Sequence, residues 1–185
     1  PIRFLPFLSK RLHFESLNFS DQASKSWEKD KLSADLAFEF SSEGEFENIK
    51  PLLDQALFDG KRIECLYCSP SVEGRMKALV NAYPSQVRTL RFPFLFPGFL
   101  FVTVQNWMTA PRLILSRYDF FPQLFLHTEQ RTLILTSATL LGKEESLSGS
   151  LSLYGWFYRN IYQLFDTVYW YSEQDYTYGK ELLPD

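Results

Sequence analysis

Four consecutive residues, Ser42-Glu43-Gly44-Glu45, combine a hydroxyl, a glycine and two carboxylates between a short apolar run and a segment with helical spacing. Gly44 permits a tight strand-to-helix turn. The first N–H groups of the following helix suit an anion or a sugar hydroxyl, and a carboxylate such as Glu45 can act there as a general base. A purely structural alternative stays open, because Ser and Glu at a helix N-terminus also act as caps that complement the helix dipole.

Cys65 and Cys68 have the C-x-x-C spacing that is typical of redox sites and of half of a zinc site. They lie in the apolar run 63–68, and side chains three positions apart on a strand point to opposite faces. His13 and His127 are the two histidines of the chain that could complete a zinc site. We interpret the cysteines as small buried strand residues and expect no metal and no cofactor.

The length, composition and charge of the chain exclude several classes of protein. The chain has 185 residues, of which 45% are hydrophobic, 22% charged and 17% aromatic. This length corresponds to one domain or two very small ones, and it suffices for a core without disulfide support. A net charge of −3 argues against nucleic acid as a partner. Apolar runs stay shorter than the ~18–20 residues that span a bilayer.

Apolar runs alternate with helical patterns along the chain. The predicted helices are 46–58 with Gly60 as its stop, 73–82, 107–118 with Pro111 in its first turn, and 153–165. The predicted strands are 36–40, 63–68, 87–92, 99–104, 132–136 and 167–171. This alternation predicts an α/β fold, an open parallel sheet with helices on both faces. The chemistry of such sheets lies beyond the carboxyl ends of the strands, so we expect a site in the turns that follow them.

Two aromatic segments each have two interpretations. Residues 1–14 carry Arg3, Lys10 and Arg11 and precede the first acid, Glu15. They form either a membrane-surface segment or a first helix that packs on the domain with its basic residues in solvent. The run 154–158 is either a surface that stacks on sugars or faces lipid, or part of a helix packed in the core.

Several short motifs together resemble the N-terminal domain of the transferases of 3-deoxy-D-manno-octulosonic acid (Kdo), which move this sugar from CMP-Kdo to lipid A precursors. That family shows, in order, Ser-Val-Gly-Glu, Pro-Leu, Thr-Pro-Thr-Gly, Pro-x-Asp, Glu-x-Glu-Leu-Trp-Pro and Asn-Ala-Arg-Leu-Ser. The corresponding residues here are Ser42-x-Gly44-Glu45, Pro51-Leu52, Ser69-Pro70-Ser71 before Gly74, Pro93-Phe94-Leu95, Thr103-Val104-Gln105-Asn106-Trp107 and Ser137-Ala138-Thr139-Leu140. The resemblance extends from about residue 36 to residue 176, and its last part is a strand and helix pattern that ends at Ser172-Glu173-Gln174-Asp175.

The chain also departs from the family pattern at charged positions. The replaced family residues are a Val, an Asp, the two acids before the Trp, and an Arg. The residues found there are, in that order, Glu43, Leu95, Thr103 with Gln105, and Thr139, with Lys143 as a nearby cation. The resemblance therefore leaves open an altered acceptor or a degenerate site.

The resemblance implies one half of a GT-B enzyme, in which two Rossmann-like domains face a cleft. Residues 36–185 would be the acceptor-binding domain, residues 1–35 a helix and loop near the membrane, and the domain that binds CMP-Kdo would not be included. Glu45 would be the base that deprotonates the acceptor hydroxyl. The residues that the resemblance implies in substrate binding are Ser42, Gly44, Ser69, Ser71, Gln105 and Lys143. The lipid A precursor would be met at the cytoplasmic face of the bacterial inner membrane.

Two functions remain: the acceptor-binding half of a Kdo-transferase-like enzyme, or a non-catalytic relative that serves as a binding or interaction domain. A donor-binding domain encoded downstream in the same gene would favour the first.

We predict that the chain alone does not turn over CMP-Kdo, because glycosyl transfer needs both substrates held in near-attack geometry. Release of CMP from CMP-Kdo in the presence of a lipid A precursor is the measurement. Steady CMP release by the chain alone would contradict the assignment of the donor site to another domain.

Overall fold

A computed structural model of the chain describes residues 4–20, 27, 32–92, 107–117, 124, 130–140, 156 and 160–182. The α-helices bounded within these residues are α1 (Phe4–Ser16), α2 (Glu43–Phe58), α3 (Glu73–Ala82) and α4 (Glu173–Leu182). Short 3-10 helices cover Leu17–Ser20 and Pro70–Val72. The strands are β1 (Leu36–Phe40), β2 (Ile63–Tyr67), β3 (Val87–Arg91), β4 (Arg112–Ser116), β5 (Thr132–Ala138) and β6 (Thr167–Trp170).

The six strands form one sheet in the order β3-β2-β1-β4-β5-β6, and every pair is parallel. In the centre of the sheet, Phe38 pairs with Cys65 on one side and with Ile114 on the other. This is the strand order of the Rossmann fold, in which strands are added in one direction from β1 to β3 and in the opposite direction from β4 to β6. The predicted fold class, a parallel α/β sheet, is therefore confirmed.

Two apolar clusters cover the two faces of the sheet. On one face, Phe38 and Phe40 pack with Phe46, Ile49 and Leu53 of α2. The cluster on the other face contains Ala37, Leu113 and Leu135 of the sheet together with Trp107 and Tyr162. Because both faces are covered, the central strands are apolar nearly throughout, as parallel strands usually are.

The two cysteines are free and buried, as expected. Cys65 belongs to the cluster on the α2 face, and Cys68 belongs to the opposite one. Burial raises the pKa of both thiols, and the neighbouring carboxylates of Glu64 and Glu39 raise it further. The cysteines thus have the environment of core residues rather than that of a reactive dithiol.

Most predicted elements of the described chain are confirmed, with small shifts at their ends. The helix predicted over 107–118 is wrong, since this stretch contains β4. Leu113 and Leu115 face one cluster and Ile114 the other, so the strand is buried on both sides. A short apolar run of this kind cannot be distinguished from a buried helix by periodicity. The strand predicted at 99–104 and most of the helix predicted at 153–165 lie outside the described residues.

Helix α1 packs on the sheet. Phe14 lies in the cluster on the α2 face, and the Arg11 guanidinium donates to the carbonyl oxygens of Cys68 and Phe92, each at 2.5 Å. These contacts support the interpretation of residues 1–14 as a first helix packed on the domain. That interpretation expected the basic residues in solvent, whereas the Arg11 side chain is bonded to the backbone of the domain. Leu8 and Leu12 remain exposed. In the described part of the chain, no helix has the length and apolar character to cross a membrane.

A buried polar network holds the segment before β4 against β2 and β3. The Glu64 carboxylate accepts hydrogen bonds from the backbone N–H groups of Thr109 and Ala110, at 2.9 and 3.0 Å, and it pairs with Arg88. The Arg88 guanidinium lies over the rings of Trp27 and Trp107, at 5.2 and 4.7 Å from their centroids. All these contacts lie at the amino ends of the strands, so they fix how the chain enters β4.

Replacing Arg88 with Met should lower the free energy of unfolding by ~3–5 kcal/mol, because the fully buried Glu64 carboxylate loses its charged partner. Urea unfolding followed by circular dichroism measures the loss. Lys50→Met is the matched control, since Lys50 pairs with Asp54 on the exposed surface of α2 and its replacement should leave the unfolding midpoint unchanged. Equal losses in the two variants would contradict a structural role for the buried pair.

Candidate functional site

The turns after β1 and β4 lie side by side at the point where the order of the strands in the sheet reverses. Glu39 pairs with Leu115, which places Ser41 level with Arg117, the first residue after β4. In open α/β sheets a ligand binds in the crevice at this point, outside the carboxyl ends of the strands. The predicted Ser42–Glu45 turn lies at this position.

Glu45 is held rigidly in this turn. Its Oε2 atom accepts hydrogen bonds from Ser41 N at 2.6 Å, Ser41 Oγ at 2.6 Å and Ser42 N at 3.1 Å. The Ser42 hydroxyl in turn accepts from Glu45 N at 3.4 Å, which completes a capping box at the start of α2. The side chain is 5% exposed. The capping interpretation is thus confirmed, and it fixes the carboxylate at the mouth of the sheet.

Gly44 is the second residue of α2, and the turn itself is made by Ser42 in an extended conformation. A Cβ atom added at Gly44 would meet no atom of the described residues within 4 Å. The prediction that Gly44 makes a tight turn is not supported, since Gly44 lies within the helix and has no positive φ. What its small size provides is open space in front of the first turn of the helix.

Ser69 and Ser71 lie in the turn after β2, the neighbour of β1. The Ser69 hydroxyl accepts from Ser71 N at 3.2 Å, and the two hydroxyl oxygens are 2.8 Å apart. Ser71 is exposed and Ser69 is half-buried. Both predicted residues thus lie at the carboxyl edge of the sheet, as Ser42 and Glu45 do. Gln105 and Lys143 lie outside the described residues.

Gln105 was assigned through its place in the stretch that ends at Trp107, which the sequence analysis put after a predicted strand at 99–104. In the structure, Trp107 lies before β4. Its buried ring packs on Arg88 at the amino ends of the strands, opposite the candidate site. In sequence, the residues that follow β4 are Arg117-Tyr118-Asp119-Phe120-Phe121-Pro122. They place an acid three positions before a proline, as the Glu-x-Glu-Leu-Trp-Pro stretch does. This second occurrence of the spacing was not considered in the sequence analysis.

Two residues with a left-handed backbone conformation lie at the carboxyl edge of the sheet, one directly after β4 and one near the end of β5. Arg117 has φ 63° and Ser137 has φ 54°. Arg117 N donates to Thr136 O at 2.9 Å, so the two bends are linked across β4 and β5. A non-glycine residue in this region costs about 1–3 kcal/mol, and such strain concentrates at functional sites. The strain at Arg117 and Ser137 therefore falls where the topology places the crevice.

The turn after β5 is anchored to α4 by Asp175. This fully buried carboxylate accepts from Leu140 N at 2.6 Å, from Thr139 Oγ1 at 3.0 Å and from Ser172 Oγ at 2.5 Å. Thr139 stands where the family pattern has Arg, and its hydroxyl is directed to α4. The Asp175 carboxylate thereby fixes the path of the chain as it leaves β5.

The charges around the start of α2 are partly paired. Glu43 is exposed and lies 3.4 Å from the Arg75 guanidinium, which also reaches Glu47 at 3.3 Å. No group of three or more His, Cys, Asp or Glu side chains within the described ranges could hold a metal ion. The arrangement offers general-base chemistry and polar contacts.

Asp175→Ala should release the turn after β5, since Leu140 N loses its acceptor in a buried position, at a cost of about 1–3 kcal/mol. Hydrogen exchange is expected to speed up at the Leu140 amide and to stay unchanged in β1. Asp54→Ala, which removes an exposed carboxylate of α2, is the control. Unchanged protection of Leu140 in Asp175→Ala would show that the turn does not depend on this carboxylate.

A comparison with known protein families agrees with the fold and with the position of the Glu45 turn. The sequence model of the 3-deoxy-D-manno-octulosonic-acid transferase (kdotransferase) family matches residues 10–184. This range contains all six strands of the sheet and the turns that surround Glu45. No curated protein matches the chain. Because the match covers nearly the whole chain, the protein belongs to the 3-deoxy-D-manno-octulosonic-acid transferase family, in the region of its N-terminal domain.

Proposed function

We propose that this chain is the acceptor-binding half of a Kdo-transferase-like glycosyltransferase, which moves Kdo from CMP-Kdo to a lipid A precursor. One observation carries the proposal: a buried glutamate, Glu45, is fixed at the point of the sheet where α/β folds bind ligands. The open space in front of Gly44 gives an acceptor sugar access to this turn.

In the proposed reaction, Glu45 takes the proton of an acceptor hydroxyl while the hydroxyl oxygen attacks the anomeric carbon of Kdo. The bond from that carbon to the CMP phosphate oxygen breaks, and CMP leaves with the bonding electrons. The hydrogen bonds from Ser41 and Ser42 hold the carboxylate in one orientation before the substrate arrives. A general base positioned in this way contributes roughly 10²–10⁴-fold to a rate.

The other proposed substrate contacts surround the same edge. The hydroxyls of Ser69 and Ser71 can donate to or accept from a sugar, as can that of Ser42, and the backbone N–H of Gly44 in the first turn of α2 can donate. Gln105 and Lys143 remain predictions of the sequence. Binding of CMP-Kdo is assigned to a second domain.

A membrane surface is the proposed location of the acceptor, at the cytoplasmic face of the bacterial inner membrane. Helix α1 carries exposed Leu8 and Leu12, one helical turn apart, next to the exposed Lys10. Apolar and basic residues together favour the interface of an anionic bilayer. This feature supports contact between the proposed enzyme and the membrane that holds a lipid acceptor.

A non-catalytic relative is the second candidate, and the contacts of Glu45 favour it. The two hydrogen bonds between Ser42 and Glu45 are those that a capping box makes in any helix. In this alternative, the carboxylate stabilises α2 and takes no proton.

Glu45→Gln, introduced into the protein together with its donor-binding domain, should lower kcat by roughly 10²–10⁴-fold. Gln keeps the size of the side chain and can still complete a capping box, so the thermal midpoint should change little. Initial rates and thermal melting of the same variant are the measurements.

Glu43→Gln is the matched control, since Glu43 belongs to the same helical turn and points to Arg75 at the surface. Its kcat should equal that of the wild type. A Glu45→Gln variant with the wild-type rate would reject the catalytic role and leave the capping role alone.

A further inference from the structure

The Arg11 side chain joins two strand ends at the carboxyl edge of the sheet. One residue past β3, Phe92 N donates to Tyr67 O of β2 at 2.8 Å. The next carbonyl oxygens along the two strands are those of Cys68 and Phe92, and each accepts from one Nη atom of Arg11 at 2.5 Å. The guanidinium therefore continues the pairing of β2 with β3 beyond their last residues.

Arg11 is itself held in one orientation. Its Nε atom donates to the Glu15 carboxylate at 2.5 Å, one turn further along α1, and its guanidinium lies 5.1 Å from the centroid of the Phe14 ring. The arginine side chain is 11% exposed. A guanidinium donates through a planar, rigid fork, which limits the movement of its acceptors more than a flexible ammonium group does. The contact is therefore a rigid link between α1 and the two strand ends.

One of the two carbonyls that Arg11 binds begins the turn of Ser69 and Ser71. Cys68 directly precedes Ser69, which is the N-cap of the short 3-10 helix in this turn. The Ser69 hydroxyl accepts from Ser71 N, so the two hydroxyls move together with the backbone of the turn. The Arg11 fork thus fixes the point from which both serines are placed.

The segment that follows α1 supports the other end of the same turn. The Glu73 carboxylate, at the start of α3, accepts from Tyr67 Oη at 2.7 Å and from Arg91 Nε at 2.9 Å. Asn18 in turn bonds to both backbone groups of Arg91, at 2.8 and 3.0 Å. Residues 4–20 therefore hold the turn at its beginning directly and at its end through β3.

The turn held in this way lies next to the turn of Glu45. Phe40 and Tyr67, the last residues of β1 and β2, are paired, which places Ser42 level with Ser69. A displacement of the Ser69 turn changes the distance between its hydroxyls and the Glu45 carboxylate.

We propose that Arg11 is a positioning residue for acceptor binding, which acts by setting the place of the Ser69 and Ser71 hydroxyls. This inference rests on the proposed function, in which these hydroxyls bind the acceptor sugar. Loss of a contact that serves the ground state and the transition state equally raises KM and leaves kcat unchanged. A loss of stability alone has a different signature, because fewer folded molecules lower the apparent kcat and leave KM as it was.

Arg11→Met, introduced into the protein together with its donor-binding domain, is the diagnostic variant. We expect KM for the lipid A precursor to rise by about 10-fold or more, because the two carbonyls lose a charged donor. The kcat value and KM for CMP-Kdo should stay close to those of the wild type. Initial rates with each substrate varied in turn, below the thermal midpoint of every variant, are the measurement. An unchanged KM for the acceptor, or a fall in kcat alone, would overturn the proposal.

Arg11→Lys keeps the charge and the packing of the stem but lacks the fork. Its KM for the acceptor should lie between those of the wild type and Arg11→Met. If Arg11→Met does not fold, Arg11→Lys decides in its place, and a wild-type KM in that variant rejects the positioning role.

Arg131→Met is the matched control. The Arg131 guanidinium also donates to two backbone carbonyls, Met108 O at 2.6 Å and Ala110 O at 3.1 Å, but it does so at the amino ends of the strands. Its replacement should lower the thermal midpoint and leave KM for the acceptor unchanged. An equal rise of KM in Arg11→Met and Arg131→Met would show that lost stability is the cause and would contradict the proposal.

The proposed function fails separately. A wild-type rate in Glu45→Gln rejects the base, while KM of Arg11→Met still decides the positioning role. If the whole protein transfers no Kdo, hydrogen exchange in the 185-residue chain decides it. Val72 N donates to Ser69 O at 3.2 Å in the turn, and its exchange should become about 10-fold faster in Arg11→Met. The Phe46 amide in α2 should exchange as in the wild type, and unchanged exchange at Val72 would overturn the inference.

Discussion

The parallel pairing of β1 with β2 on one side and with β4 on the other is the constraint on which the candidate site depends. Because all three strands run in the same direction, the turns that follow them emerge at one edge of the sheet. Burial of β1 on both faces fixes the register, since a shift by one residue would exchange the two apolar clusters. Ser41, Ser69 and Arg117 are neighbours for this reason, although they are far apart in sequence.

The same hydrogen bonds serve two purposes at Glu45. The contacts with Ser41 and Ser42 end the first strand, begin α2 and fix the carboxylate. A base that is held by its own helix cap needs no reorganisation before it meets a hydroxyl, which is the condition for preorganised catalysis. The stability of α2 and the position of the proposed base are therefore coupled, so that a change in one affects the other.

Local patterns predicted the elements whose signals lie in a few consecutive residues. The strand 36–40 and the helix 73–82 have the predicted ends, and the Ser42–Glu45 motif marks the start of α2. The prediction of a helix at 107–118 was wrong because Leu113, Ile114 and Leu115 are apolar on both faces, a pattern without a period.

The long-range contacts could not be predicted in the same way. Asp175 meets Leu140, and Glu64 meets Thr109, through side chains that the fold brings together from distant positions. Neither pair has a spacing in the sequence that would reveal it. The strain at Arg117 depends likewise on its place after β4, which the sequence analysis had assigned to a helix.

The central claim is that Glu45 meets the acceptor hydroxyl, and a structure of the protein with its donor-binding domain and a lipid A precursor tests it most directly. The distance to be measured joins the nearer carboxylate oxygen of Glu45 to the attacking hydroxyl oxygen. The account predicts about 2.6–3.2 Å, either directly or through one water molecule. An acceptor bound away from the edge between β1 and β4, with its reactive hydroxyl beyond the reach of Glu45, would contradict it.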